Sequence, residues 1–152
     1  MADLVEVTQF TRSLLEELVE IERENFGEGG LNEWTLPVVA KYGKVFIFKE
    51  GEDIKGLAEL IRDWSDSQLA FLIGISLKKK HQNKGLGKIF LEKLLAQLGG
   101  TGIIKVRLTV SLENRNALNL YQKFGFKKIK FSLDEYGKGE DRVILETTLS
   151  KV

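Results

Sequence analysis

Two hydrophobic patterns alternate along the chain. Leu69 to Leu77 is a nearly unbroken apolar run, the mark of a strand buried on both faces. After it Leu86, Ile89, Phe90, Leu94, Leu95 and Leu98 recur at helical spacing, so the local order is strand, loop, helix. Upstream, Leu4 to Phe10 predicts a first strand, and Thr11 or Ser13 can cap the helix that follows. On a helical wheel Leu14, Leu15, Leu18, Val19, Ile21 and Phe26 gather on one side, with Glu22 and Asn25 among them. Gly27 to Gly30 ends this helix, and Asn32 to Lys41, with Trp34 and Pro37, reads as a loop and a short helix. Val45 to Lys49 and Ile54 to Arg62 predict strands joined by a hairpin turn at Glu50-Gly51-Glu52-Asp53, with a further turn at Trp64 to Ser67. Downstream come a glycine-rich link at 99–102, a strand Ile103 to Val110, and a helix through Ala117 to Phe124 stopped by Gly125. A strand Phe126 to Leu133, a turn Asp134 to Asp141 and a last strand Arg142 to Leu149 complete an α/β (α+β) chain.

At 152 residues and 43% hydrophobic composition the chain is expected to form one domain spanning 1–152. No segment reads as a signal peptide, and no apolar run approaches the roughly 20 residues of a membrane span, so a cytoplasmic protein without a membrane partner is expected. The absence of cysteine rules out disulfides, thiolate metal sites and a cysteine nucleophile, and with His81 as the one histidine no metal is expected.

The net charge of +1 hides a division. From Lys78 to Lys130 there are thirteen Lys and Arg against two Asp and Glu, leaving ten against twenty elsewhere. The basic part suits a polyanionic ligand and the acidic remainder a cationic one. A nucleic-acid face is the competing reading, but the stacking aromatics and motifs that accompany one are missing, so no nucleic-acid partner is expected. Glu22, on an apolar helix side, would be costly to bury unpaired. It therefore needs a structural Arg or Lys, an amine ligand or its water, or an exposed helix end. Glu16, Glu17, Glu20 and Glu24 project elsewhere and read as a solvated face.

The loop after the apolar strand carries the chemistry. Gly85 and Gly87 let the backbone approach a ligand, and the helix starting there presents unpaired N–H groups that can cradle phosphate beside Lys84 and Lys88. The dinucleotide fingerprint would need a glycine at Phe90, and the Walker loop a Ser or Thr at Ile89. What remains, Gln82-x-x-Gly85-x-Gly87, resembles the acyl-CoA loop of the GNAT superfamily of N-acetyltransferases. Asn114-Arg-Asn-Ala117-Leu-Asn-Leu-Tyr121-Gln-Lys-Phe-Gly125-Phe126 resembles that family's later signature, N-x-x-A-x-x-L-Y-x-K-x-G-F.

The resemblance implies a mixed, mostly antiparallel sheet of about seven strands with four helices, in which the fourth and fifth strands splay to hold acetyl-CoA. It implies an acetyl-CoA-dependent N-acetyltransferase acting on a primary amine by direct attack in a ternary complex; a CoA-binding regulatory module without turnover is the alternative. Acetyl-CoA would be held by the backbone of Ile75, Ser76 and Leu77, by the loop Gln82, Asn83, Lys84, Gly85, Leu86, Gly87 and Lys88, and by Asn114, Ala117 and Tyr121. Tyr121 matches the tyrosine that can protonate the departing thiolate. The region between the first two helices walls the family's acceptor pocket, which makes Glu22, Asn25 and Trp34, with Glu28 and Glu33, the candidates for acceptor contact. The positions where relatives carry a glutamate base are Phe71 and Thr109 here, so the amine would lose its proton through water, with Glu22 or Glu59 as the terminus. The family often forms homodimers, which adds a second copy to the expected partners.

Overall fold

The computed structural model describes residues 1–149, so residues 150–152 of the expected 1–152 domain lie outside the described residues. The elements are β1 (Asp3–Glu6), α1 (Arg12–Phe26), α2 (Thr35–Tyr42), β2 (Lys44–Glu50), β3 (Asp53–Arg62), β4 (Leu69–Leu77), α3 (Leu86–Leu98), β5 (Lys105–Val110), α4 (Arg115–Lys123), β6 (Lys127–Ser132) and β7 (Arg142–Thr148). The strands form one seven-stranded, mostly antiparallel sheet in the order β1-β2-β3-β4-β5-β7-β6, with β4 and β5 parallel. Thr11, not Ser13, caps α1, its Oγ1 accepting from the Leu14 N–H at 3.1 Å. Among the described residues no helix is long and apolar enough to cross a membrane.

Two predicted strands come out shorter by two or more residues at one end, each because its partner ends. β1 stops at Glu6, since Val7 makes one last N–H bond to the Val45 carbonyl (2.8 Å) and β2 begins at Lys44. β5 starts at Lys105, opposite Leu69, the first residue of β4.

The chain divides into two compact units: Met1–Ile61 with Leu72–Leu94, and Arg62–Phe71 with the residues from Leu95 onward. In the first, β2 and β3 pair antiparallel and carry a core on each face. Val45, Ile47 and Leu57 pack with Leu18, Ile21, Leu36 and Ala40 of α1 and α2. On the opposite face Phe48 stacks on Phe90 of α3, ring centroids 4.7 Å apart and nearly parallel. Glu59 is paired with Val45 across the β2–β3 ladder and therefore points to the α1–α2 face.

In the second unit β5 pairs with β7 along its whole length, and Val106, Leu108, Val110, Val143 and Leu145 fill the core. β6 forms the edge, with a bulge between Lys128 and Lys130, and its charged Lys127, Lys128 and Lys130 are exposed. The first three residues of β4, Leu69–Phe71, pair with Lys105–Arg107.

Both Phe48 and Phe90 are fully buried. Phe90→Ala should therefore cost about 3–5 kcal/mol of unfolding free energy, measurable by urea denaturation, and a loss under about 1 kcal/mol would mean that the stack does not hold α3 to the sheet.

Candidate functional site

The loop after β4 is held from below by α1. The Asn25 side-chain amide donates to the Ile21 carbonyl (2.9 Å) and to the Leu77 carbonyl at the end of β4 (3.0 Å). Gln82 Nε2 donates to Asn25 Oδ1 and to the same Leu77 carbonyl, both at 3.0 Å. Both lone pairs of that carbonyl are thus used within the chain. Among Ile75, Ser76 and Leu77, the expected thioester-arm backbone, the Leu77 C=O is already engaged. Glu17 pairs with Lys78 at 2.8 Å, and Glu24 accepts from the Lys79 N–H at 2.6 Å. The solvated-face reading of these two glutamates is corrected. Helical spacing showed which side they leave α1, but not that the chain returns there more than 50 residues later.

Beyond Gln82 the backbone turns through two left-handed residues, Asn83 (φ 61°) and Gly85 (φ 79°). A Cβ on Gly85 would meet nothing within 4 Å, so the open side of this turn lies just before the first residues of α3, Leu86, Gly87 and Lys88. The free N–H groups of a helix start and the glycine turn suit a phosphate there, with Lys84 and Lys88 alongside.

Glu22 is buried, at 2% exposure, and its Oε2 accepts from the Leu31 N–H at 3.2 Å while Oε1 has no partner. Gly30 packs so closely that a Cβ would lie 3.1 Å from Oε2. Neither the exposed helix end nor a structural Arg or Lys within 4 Å is found among the described residues. Burial pushes the carboxyl up to about 7, with the Leu31 hydrogen bond opposing. Glu59 is buried at 1% exposure, also with Oε1 unpartnered.

Trp34 is brought together with neither of them. It is 78% exposed and, with Leu15, Glu16, Val19, Glu20 and Glu33, lines a cavity of about 690 Å³ whose lining includes neither Glu22 nor Asn25. Glu28 lies in the short turn Gly27–Gly29 that follows α1.

In the second unit Asn114 caps α4, its Oδ1 accepting from the Ala117 N–H at 3.2 Å. The Tyr121 ring tilts against the buried Phe126 at 5.4 Å between centroids, and burial pushes its hydroxyl up to about 12. Thr109 bonds to the Tyr136 hydroxyl at 2.7 Å, a pairing with no signal in the sequence.

The model of the Acetyltransferase (GNAT) family matches residues 11–126. The chain belongs to this family. Among curated GNAT relatives, the ribosomal protein bS18-alanine N-acetyltransferase of Salmonella typhimurium is 30% identical over 84 residues, 53% of this chain. That match spans only 57% of the relative's length. The N-alpha-acetyltransferase of Sulfolobus acidocaldarius is 23% identical over 150 residues, 91% of this chain and 89% of its own. In fold, the Escherichia coli ribosomal-protein-S18-alanine N-acetyltransferase superposes with a TM-score of 0.82 at 20% identity, over 100% of this chain and 96% of that one. A Bacillus subtilis acetyltransferase in complex with CoA gives 0.80 at 18% identity, over 99% and 100%. These two likenesses establish the GNAT fold and the seven-stranded sheet expected from the motifs.

One consequence of this GNAT chain's buried Glu22 is open to direct measurement. Unfolded, the carboxyl ionises near 4.5; folded, near 7. Between those values the native state holds the extra proton, so this contribution to stability is present at low pH and lost as pH rises through about 7. Glu22→Gln keeps an acceptor for the Leu31 N–H without the charge. It should raise the unfolding free energy at pH 8 by on the order of 2–3 kcal/mol relative to the parent and have little effect at pH 4.5. A variant equally destabilised at both pH values would show that the charge is not what Glu22 costs.

Proposed function

We propose that the protein is an acetyl-CoA-dependent N-acetyltransferase that moves an acetyl group to a primary amine, either a small cationic amine or a peptide N-terminus, by direct attack in a ternary complex. The observation that carries this reading is the loop Gln82–Lys88, with a left-handed glycine turn open on one side and a helix start behind it. Relatives named for acetylating an alanine of bS18 and for N-alpha-acetyl transfer, and a like fold solved with CoA, support it. In this reading Lys84, Lys88 and the N–H groups at Gly85–Lys88 take the pyrophosphate, and the remaining backbone donors of Ile75–Leu77 orient the thioester arm.

Between Thr11 and Glu33 there are seven Glu against two Arg, which favours a cationic acceptor. An α-amino group, with a pKa near ~8, needs less help to lose its proton than a lysine-type amine near ~10.4. Glu22 and Glu59 supply the carboxylates to which that proton can pass.

Tyr121, carried by the family motif, is assigned to the leaving group. Its raised pKa keeps the hydroxyl protonated throughout the neutral range, so it acts by donating a hydrogen bond to the departing sulfur. A full transfer to an alkanethiolate, whose conjugate acid is more acidic than this phenol, would run uphill. Asn114 is assigned to shaping the start of α4, and Ala117 to leaving room for the pantetheine chain.

Gly85→Val forces a branched side chain into φ 79° and fills the open side of the turn, so acetyl-CoA affinity measured by calorimetry should fall at least about tenfold. Parental affinity would remove the loop from the site. Tyr121→Phe keeps the ring on Phe126 and should lower kcat on the order of a hundredfold with acetyl-CoA affinity nearly unchanged; an unaltered kcat would leave Tyr121 a packing residue. Thioester cleavage across a panel of primary amines separates the enzyme from a regulatory module, which would bind acetyl-CoA and turn over none of them.

A further inference from the structure

The first unit holds two buried carboxylates, and their surroundings differ. Glu22 is occupied: Oε2 receives the Leu31 N–H and Gly30 is packed against it, so the side chain closes the turn between α1 and α2. Glu59 has no such work. Its Oε1 has no hydrogen-bond partner, and it enters none of the ion pairs among the described residues. An ionised carboxylate buried in that state is costly unless a ligand relieves it.

The surroundings of Glu59 are specific. It points to the α1–α2 face of β3, and a Cβ on Gly74 of β4 would lie 3.0 Å from its Oε2. The carboxylate therefore fills the space that a side chain at position 74 would take. The same Cβ would lie 3.5 Å from the Phe26 ring, and Phe26 is 46% exposed. Beside the carboxylate on this side stand a residue without a side chain and the edge of a half-exposed ring. Gly74 immediately precedes Ile75–Leu77, so Leu77 lies about 10 Å further along the strand. Few other charges face Glu59. From α1 the buried charge is Glu22, while its Arg12 and Arg23 line the outer cavity. α2 offers only the exposed Lys41, β2 the half-buried Lys49, and β4 none.

We propose that Glu59 is the proton acceptor for the amine, reached beside Gly74 at the edge of Phe26, and that this one-residue gap selects an unhindered primary ammonium. The ammonium proton passes to the Glu59 carboxylate, and the freed lone pair forms the N–C bond at the thioester carbonyl. The C–S bond breaks, the nitrogen releases its second proton to solvent, and the thiolate takes up one proton from solvent. Glu59 then returns its proton to solvent, so one proton is released per turnover. This assignment rests on the N-acetyltransferase reading and decides which of its two carboxylates does the chemistry.

The test compares the parent with Glu59→Gln and Gly74→Ala, reading acetyl-CoA affinity by calorimetry and thioester cleavage against pH. Two acceptors are used, an α-amine with a pKa near ~8 and an alkylamine near ~10.4. In the parent the rising limb of kcat/KM should fall at one pH for both acceptors. In Glu59→Gln acetyl-CoA should bind as before, kcat/KM at pH 7 should drop about 10²–10⁴-fold, and the limb should move to each acceptor's own pKa. Gly74→Ala leaves the carboxylate in place but sets a methyl 3.0 Å from it, and should lower kcat/KM roughly tenfold to a hundredfold with acetyl-CoA binding intact. Should Glu59→Gln not fold, Gly74→Ala decides between the outcomes alone. Parental kcat/KM and pH profile in Glu59→Gln, or parental kcat/KM in Gly74→Ala, overturns the role of Glu59 and leaves the N-acetyltransferase reading standing. A parent that binds acetyl-CoA but cleaves it with no amine overturns both.

Discussion

The carbonyl oxygen of Leu77 accepts hydrogen bonds from two side-chain amides, Asn25 and Gln82, and the working face of the first unit depends on that double contact. The last carbonyl of a strand is left to solvent or to whatever the chain brings there. Here the first helix and the glycine loop are brought to the same atom, and the Asn25–Gln82 bond closes the triangle. Each bond is worth only about 1 kcal/mol net, but losing one partner would leave a half-buried polar group unmatched, and that larger cost holds the arrangement in one state. The Glu17–Lys78 pair and the Glu24 bond to the Lys79 N–H fasten the next two residues to the same helix. The direction in which the loop leaves β4, and so the orientation of its open turn, is set by α1.

Electrostatics in this unit follow from how carboxylates are spent. The half-buried Glu17 and Glu24 of α1 meet the Lys78 ammonium and the Lys79 N–H where water still reaches them. The buried ones differ, since a charge that has left water must be matched or neutralised. Glu22 is matched in part by one backbone N–H, which does not restore an ordinary carboxylate pKa. Glu59 is not matched at all among the described residues, which gives it the character expected of a group that waits for a cation.

Much of the architecture was legible without coordinates, because its signals are local. The order of elements, a cap for α1 at Thr11 or Ser13, the glycine turn at Gly85 and the two motifs all rest on contacts within four residues or on backbone angles that one residue type permits. The chain by itself therefore determined which family it belongs to, where its loop lies and about where each element falls. Tertiary structure decided what faces what. The wheel put Glu22, Asn25 and Phe26 on one side of α1, yet could not say that Asn25 meets a carbonyl 52 residues away, that Glu22 closes its own loop, or that Phe26 rests against Gly74. Nor could it show that Trp34 lines a cavity that contains neither Glu22 nor Asn25. Periodicity specifies the side of an element a residue leaves from; its partner is chosen by the register and approach of strands distant in sequence. That is why a glutamate in the middle of β3, inconspicuous in the sequence, becomes a buried, unpaired acid once Val45 and Gly74 take their places around it.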